Sequence, residues 1–432
     1  MSDVGYVRTD MLPEKEAPAS TVGLIGWLRH NLFSSWMNGI LTVFAIVFIG
    51  SILYGIIPWI FRSSWTANSL NDCREAISLA YGDGVKGACW AVIRERYLQL
   101  LFGFYPSNLY WRIELAFVGL FVALAPILFA GAPRKVLYFS AVYPFFAVWM
   151  LWGGSIWMPL MAMAGFGAGY LGYTFLSRAF GPLAGTIAAF VAPVLWWWFL
   201  ASPVGHGLEA IIPMSIEAVE SARFGGFMLS VTIGVTGIAL SLPVGVVLAL
   251  GRQSDLWFLK TICVGFIEFI RGVPLITLLF VASTLLNIFL PPGTTFDIIL
   301  RVMIMVTLFS SAYMAEVVRG GLAALPRGQY EAADSLGLDY WKAQRLIIMP
   351  QALKISIPAI VGNFIGLFKD TTLVMIIGLM DPLNLANAIR ANHEWNGIIW
   401  ELYGFIALMF FTVCFSMGRY SMYLERKLKT GH

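Results

Sequence analysis

The segment Pro326–Pro350, PRGQYEAADSLGLDYWKAQRLIIMP, is a polar interruption between two strongly apolar stretches, Ile298–Val318 and Leu346–Leu379. A segment so placed sits in water at the end of two membrane spans and is a candidate docking surface. Pro326 suits the first turn of a short helix, where its missing N–H leaves no bond unmade, and Arg327–Leu336 holds no breaker except Gly328. Gly337 then permits a backbone conformation closed to residues with a side chain. Asp339 can cap a second short helix running from Tyr340 towards Ile348. The expectation is two helices joined by a sharp turn, with Ala332 and Ala333 giving the first a flat face and Glu331 a charge in a fixed position.

Working outward, 59% of the chain is hydrophobic and 12% charged, with a mean hydropathy of +0.78. Soluble domains carry about 25% charged residues, so the solvent here is a bilayer. A net charge of +4 over 432 residues is scattered and suggests no nucleic-acid partner; its use is to assign loops to the cytoplasmic side. Residues 1–20 are mixed polar and acidic, and the first apolar run is long enough to span, so it reads as an anchor and not as a cleaved leader. His30, His206, His393 and His432 lie far apart and show no ligand spacing with the cysteines, which predicts no metal site.

Residues 1–36 read as a cytoplasmic tail, with a mildly amphipathic stretch around Leu24, Trp27, Leu28 and Phe33. A membrane extension follows over 37–222. Since about 20 apolar residues cross the hydrocarbon core, it holds spans at Met37–Phe61, Ile113–Gly131, Val136–Trp152, Ile156–Leu176 and Leu183–Phe199. Arg134 and Lys135 mark a cytoplasmic loop, which puts the polar loop 62–111 outside. That loop contains Cys73 and Cys89, either as a disulfide or as two unrelated thiols; Cys263 and Cys414, in apolar surroundings, read as packing residues. Gly167, Gly169 and Gly172 match G-x-G-x-x-G, but no strand precedes them, and small residues in a membrane helix let neighbours pack closely. The remaining part, 223–432, carries five more spans: Phe224–Leu250, Leu256–Leu290, Ile298–Val318, Leu346–Leu379 and Ile398–Met417, with a kink at Gly272 and Pro274. The fold class is therefore an all-α integral membrane protein of about ten transmembrane helices with both termini cytoplasmic; without a hairpin in 153–199, eight spans satisfy the same charge rule.

Charges inside spans are costly and mark function by default. Glu268 with Arg271, and Glu316 with Arg319, are spaced to meet on one helix face, as working groups or as mutually neutralised pairs. Lys369-Asp370-Thr371-Thr372 interrupts an apolar run too long for one helix, and a broken helix exposes backbone groups that can bind a charged ligand. For a zwitterionic amino acid, Asp370 would accept from the ammonium and Thr371 and Thr372 would donate to the carboxylate; internal pairing of Lys369 with Asp370 is the alternative. No G-x-x-x-x-G-K-[ST] sequence and no nucleophile–base constellation is present, so the chain is not expected to be an enzyme.

Glu331-Ala332-Ala333, Gly337, Ile347 and Pro350 resemble the cytoplasmic "EAA" loop of permease subunits of bacterial ABC importers, with Met349 where Leu is usual. Phe266–Leu275 (FIEFIRGVPL), Ala312–Gly321 (AYMAEVVRGG) and Lys369–Leu373 (KDTTL) resemble the polar amino-acid branch of that family, and the long extension before Phe224 resembles the general or glutamate/glutamine/aspartate/asparagine systems. The resemblance implies that 223–432 is a type I permease core whose loop 326–350 couples to an ATPase through Glu331, Ala332, Ala333, Gly337 and Pro350. It implies import of polar L-amino acids across an inner membrane, with Asp370, Thr371, Thr372 and Glu316 as substrate-contacting candidates. The partners implied are a related permease, two copies of an ATP-binding cassette ATPase that uses ATP and Mg²⁺, and a periplasmic amino-acid-binding protein; membrane lipid surrounds the spans, and this chain itself holds no cofactor. Leu278 stands where related permeases often carry Gln, which would move the main substrate site to the partner. An ATP-independent secondary transporter or a receptor-like scaffold are the rival readings. The first leaves the loop without a role, and the second leaves the polar break at Lys369 without one.

Overall fold

The computed structural model describes residues 23–289 and 296–428, with backbone alone for 285–289. Residues 1–22 of the expected tail, Leu290 at the end of one apolar stretch, and Lys429 and His432 lie outside these residues. The chain divides after Ala91 into two compact units.

The first unit holds α1 (Gly23–Asn31), α2 (Trp36–Phe61) and α3 (Leu70–Tyr81). Ser35 starts α2 by accepting a hydrogen bond from the Asn38 N–H at 3.2 Å. Helix α2 is apolar on every side and buries none of its residues within the chain, as a helix surrounded by lipid would. Beyond it the chain doubles back: Ser64 N–H donates to Ala88 O and Ala91 N–H to Ser64 O, both at 3.1 Å. The Sγ atoms of Cys73 and Cys89 are bonded at 2.00 Å and close this loop.

The second unit begins with α4 (Ala91–Phe102), α5 (Tyr110–Leu128), α6 (Val136–Trp152), α7 (Trp157–Phe180), α8 (Pro182–Leu195) and α9 (Ala201–Ile211). Two residues of β1 (Gly154–Ser155) pair antiparallel with β2 (Ser215–Ile216). Helices α7 and α8 form a hairpin seam of small residues. A Cβ at Gly169 would lie 2.7 Å from Pro193 Cγ, and one at Gly172 would lie 3.2 Å from Ala188 O. Two of the three G-x-G-x-x-G glycines are thus helix-packing residues; the third, Gly167, faces open space.

The core proper contains α10 (Gly226–Arg252), α11 (Trp257–Gly272), α12 (Leu275–Phe289), α13 (Ile298–Ala323), α14 (Arg327–Ser335), α15 (Tyr340–Ala343), α16 (Met349–Asp370), α17 (Pro382–Ala391) and α18 (Trp400–Leu428). One buried apolar cluster joins Ile113, Ala116 and Met150 of α5 and α6 to Leu229, Ile233, Val302, Val306 and Leu367 of the core. A second gathers Ala249, Ile267, Met314, Val318, Leu322, Ile348 and Ala352 around the base of the polar loop.

Among the described residues, seven helices are long and apolar enough to cross a membrane, and the pair α11–α12, bent by 101°, makes an eighth. The other two of the ten expected spans are α6, which is short at 17 residues, and α7, 24 residues long but outside the seven. The kink expected at Gly272 and Pro274 is a full change of direction. Pro274 has no N–H to continue the ladder, and the chain at Val273 is extended.

Candidate functional site

The polar loop is a helix–turn–helix. Pro326 is the cap residue, one position before the expected first turn, and α14 starts at Arg327. Helix α14 closes on Gly337 at φ +67°, with the Gly337 N–H donating to Asp334 O at 2.9 Å and the Leu338 N–H to Ala333 O at 3.2 Å. This paired closure is the Schellman arrangement, which requires a left-handed residue at that position. Asp339 then accepts from the Lys342 N–H at 2.9 Å and pairs with Lys342 Nζ at 3.0 Å. Those contacts, the backbone bond first, hold its carboxyl below the ordinary carboxylate range.

The second helix is not short. Tyr340–Ala343 passes through a wide π turn at Gln344–Ile348 directly into α16, making one continuous rod from Tyr340 to Asp370. Pro350 explains the wide turn: it cannot donate to Leu346 O, so the ladder widens there and the rod continues. On the other side, a Cβ at Gly321 of α13 would lie 2.1 Å from Ser356 Oγ and 2.5 Å from Ala352 O. Ser356 Oγ donates to Val317 O at 3.2 Å, and Gln351 Nε2 donates to Gln329 Oε1 at 3.0 Å. The two flanking helices and the loop are therefore tied into one piece.

The two alanines do not share a face. Ala333 is buried against the rod, and Ala332 and Glu331 are exposed. The outward surface instead carries Leu336, 72% exposed, Trp341, 69%, and Leu346, 64%, with Tyr340 beside them. Sequence reasoning passed over these apolar groups; four large apolar side chains in a segment that must face water were the available signal.

Glu316 lies at the centre of a charge cluster at the same end of the core. Its Oε2 accepts from Arg319 at 3.0 Å, while Oε1 meets Arg252 of α10 and stands 3.8 Å from Arg271 of α11. Glu268 pairs with Arg252 at 3.2 Å and not with Arg271, as its spacing suggested. Helix α11 packs across the end of α10, where a Cβ at Gly251 would lie 2.4 Å from Cys263 Sγ, so Arg252 meets Glu268, and Arg271 turns instead towards Glu316 and the Tyr313 ring, 5.7 Å away. With guanidinium groups on both oxygens, Glu316 is engaged within the protein.

The polar break lies towards the opposite end of α16. Helix α16 stops at Asp370 and a 3₁₀ turn runs from Thr371 to Ile377, ending at Gly378. Thr371 is fully buried and its hydroxyl donates to Phe368 O at 2.8 Å; the Thr372 hydroxyl donates to Lys369 O at 2.9 Å. Lys369 is exposed and Asp370 half-buried. Leu278 packs with Ile270 and Ala312 in a small apolar cluster.

A bundle of apolar helices with a stiff amphipathic lever at one end, paired charges behind the lever and a broken helix beyond is the membrane-embedded part of a transporter. Residues 241–430 match the family model of the binding-protein-dependent transport system inner membrane component. The whole chain is 56% identical to the glutamate/glutamine/aspartate/asparagine transport system permease protein BztC of Rhodobacter capsulatus, covering 100% of both chains. It is 38% identical to the inner membrane amino-acid ABC transporter permease protein YhdY of Escherichia coli, over 97% of each. The protein belongs to this family of ABC transporter permeases and is a multi-pass inner-membrane protein. It is also 31% identical to the probable glutamine ABC transporter permease protein GlnP of Bacillus subtilis, across 46% of this chain and 90% of that one, so the match to that shorter relative takes in about half of the present chain.

Proposed function

We propose that this chain is one of two related permeases that form a translocation path for polar L-amino acids, with glutamate, glutamine, aspartate and asparagine the leading candidates. A separate pair of ATP-binding cassette subunits supplies the drive by hydrolysing ATP with Mg²⁺, and a periplasmic binding protein delivers the substrate. The observation that carries this reading is the loop 326–350, in which an exposed surface of Glu331, Leu336, Tyr340 and Trp341 is built on helices continuous with the core. A channel or secondary transporter leaves that surface without a role.

In this reading Glu331, Ala332 and the exposed aromatics meet the ATPase, while Ala333, Gly337 and Pro350 hold the loop in shape. Asp370 receives the ammonium group of the substrate, and the partly exposed Thr372 donates to its carboxylate once its hydroxyl leaves Lys369 O; Thr371 reaches a ligand only if the 3₁₀ turn rearranges. Both termini are cytoplasmic and the disulfide loop is periplasmic, a placement supported by the Cys73–Cys89 bond, since such bonds persist in oxidising compartments. Uptake of labelled glutamate into cells expressing the whole importer tests the substrate class. Unlabelled glutamine, aspartate and asparagine should compete with it. Absence of uptake of all four would contradict the proposal.

A further inference from the structure

We infer that Glu316 is a positioning residue, the centre of an ionic knot that carries movement of the loop 326–350 to the bent helix pair α11–α12. The inference rests on the reading that this loop receives the force of ATP binding. Glu316 lies seven residues before the end of α13, about 10 Å from it at the helical rise of about 1.5 Å per residue. The Gly321 seam and the Ser356–Val317 hydrogen bond join α13 to α16 at this level, so both helices that carry the loop move with it. Ile267 of α11 packs beside that seam, in the cluster with Val318 and Ala352, but apolar contact alone does not fix the direction of α11.

The knot does. Through Oε2, Glu316 holds Arg319 on its own helix; through Oε1 it meets Arg252 at the end of α10 and Arg271 near the end of α11. Arg252 extends the chain of contacts to Glu268, one turn before Arg271. One carboxylate thus gathers the ends of three helices, and Arg271 is followed within three residues by Pro274 and the 101° bend. Apolar side chains at such a junction can slide past one another, whereas planar guanidinium groups fix both distance and direction. The Glu316 side chain is only 18% exposed, so its attractions are weakly screened. Three guanidinium groups face two carboxylates here. Removing Glu316 therefore leaves positive charges to repel one another, and the helix ends separate.

The test uses the assembled importer in proteoliposomes. Glu316→Gln keeps the shape of the side chain and removes its charge. ATP hydrolysis should persist, while amino acid delivered per ATP falls; couplings of this kind are worth roughly 2- to 30-fold. Arg252→Gln should do the same, and the double variant should lose less than the two single losses combined, because the Glu316–Arg252 contact is common to both. A purely structural cluster predicts lost assembly with an unchanged delivery ratio in whatever complex survives. A second readout is structural: spin labels at Lys260 on α11 and Ala323 at the end of α13 should keep one separation in the nucleotide-free and ATP-bound wild type, and lose it in Glu316→Gln. A wild-type separation that changes with nucleotide, or a Glu316→Gln importer with the wild-type delivery ratio, overturns the inference. Neither result depends on which amino acid is carried. Uptake without ATP would instead contradict the functional reading.

Discussion

Gly337 shows how one residue sets the shape of the lever. Its φ of +67° is closed to ordinary residues at a cost of roughly 1–2 kcal/mol, yet a Cβ there would meet nothing within 4 Å. The penalty of Gly337→Val is therefore conformational and not steric. Membrane insertion should remain normal while uptake falls, as read by membrane fractionation beside a transport assay; full transport by an intact complex would show that the turn is not needed. Trp341 is the complementary case, an exposed aromatic whose ring meets that of Tyr340 edge-on. Aromatic anchors at interfaces contribute about 2 kcal/mol or more, so Trp341→Ala should weaken capture of the ATPase by roughly 30-fold in detergent, with the fold unchanged by circular dichroism. Asp339 adds a pH dependence. Its carboxyl sits below the ordinary range because it accepts the Lys342 N–H and pairs with that side chain. The cap is therefore complete above the normal carboxylate pKa and is lost as the pH falls through the lowered one. Protection of the Lys342 amide from hydrogen exchange should drop at acid pH in the wild type, and Asp339→Asn, which still caps, should remove the drop.

At the scale of elements, the α13–α16 seam decides whether the loop can push. Gly321→Val would overpack against Ser356 and Ala352, a change that typically costs 1–3 kcal/mol. Gly320→Val, where a Cβ meets nothing within 4 Å, is the control. Thermal unfolding in detergent should show a lower midpoint for the first alone; equal midpoints would deny that the seam is tight. Helix positions were legible in the sequence because apolar length is a direct readout of the bilayer. The bend between α11 and α12 was only half legible: Gly272 and Pro274 announced a kink, but not its 101°, nor that Arg252, Arg271 and Glu316 of three helices meet beside it. Glu268 was matched to Arg271 by spacing along one helix, and the packing of α11 across the end of α10 supplied a different partner. The π turn before Pro350 was invisible for a related reason: a proline ordinarily signals a helix start, and here the preceding helix absorbs it. In the first unit, the bond between Cys73 and Cys89 closes a loop with a separation of 16 residues, worth about 3 kcal/mol in the unfolded chain. Alkylation without reductant should label neither cysteine in protein matured through export; two labelled thiols would place the loop on the reducing side.

For the whole molecule, the lever was legible because its chemistry is local: a cap, a glycine and a polar run between apolar ones. The outward apolar surface of Leu336 and Trp341 was not, since the helical register that exposes them is set by Ala333 and Ile348 packing inward. The polar break at Lys369–Thr372 was placed correctly along the chain, but its hydroxyl donors close onto the carbonyls of Phe368 and Lys369, a choice that composition does not reveal. Within the second unit, helices α5 and α6 of the extension join the core through Ile113 and Met150 in one apolar cluster, so this unit forms a single packed body in which force applied at the loop has a continuous path. Reconstitution with the co-isolated ATPase and binding protein tests the central claim most directly. With ATP and Mg²⁺ on the ATPase side and no ion gradient, labelled glutamate should accumulate in the vesicles, and Gly337→Val should abolish most of it. Accumulation driven by a proton or sodium gradient without ATP, and indifferent to Gly337→Val, would contradict it.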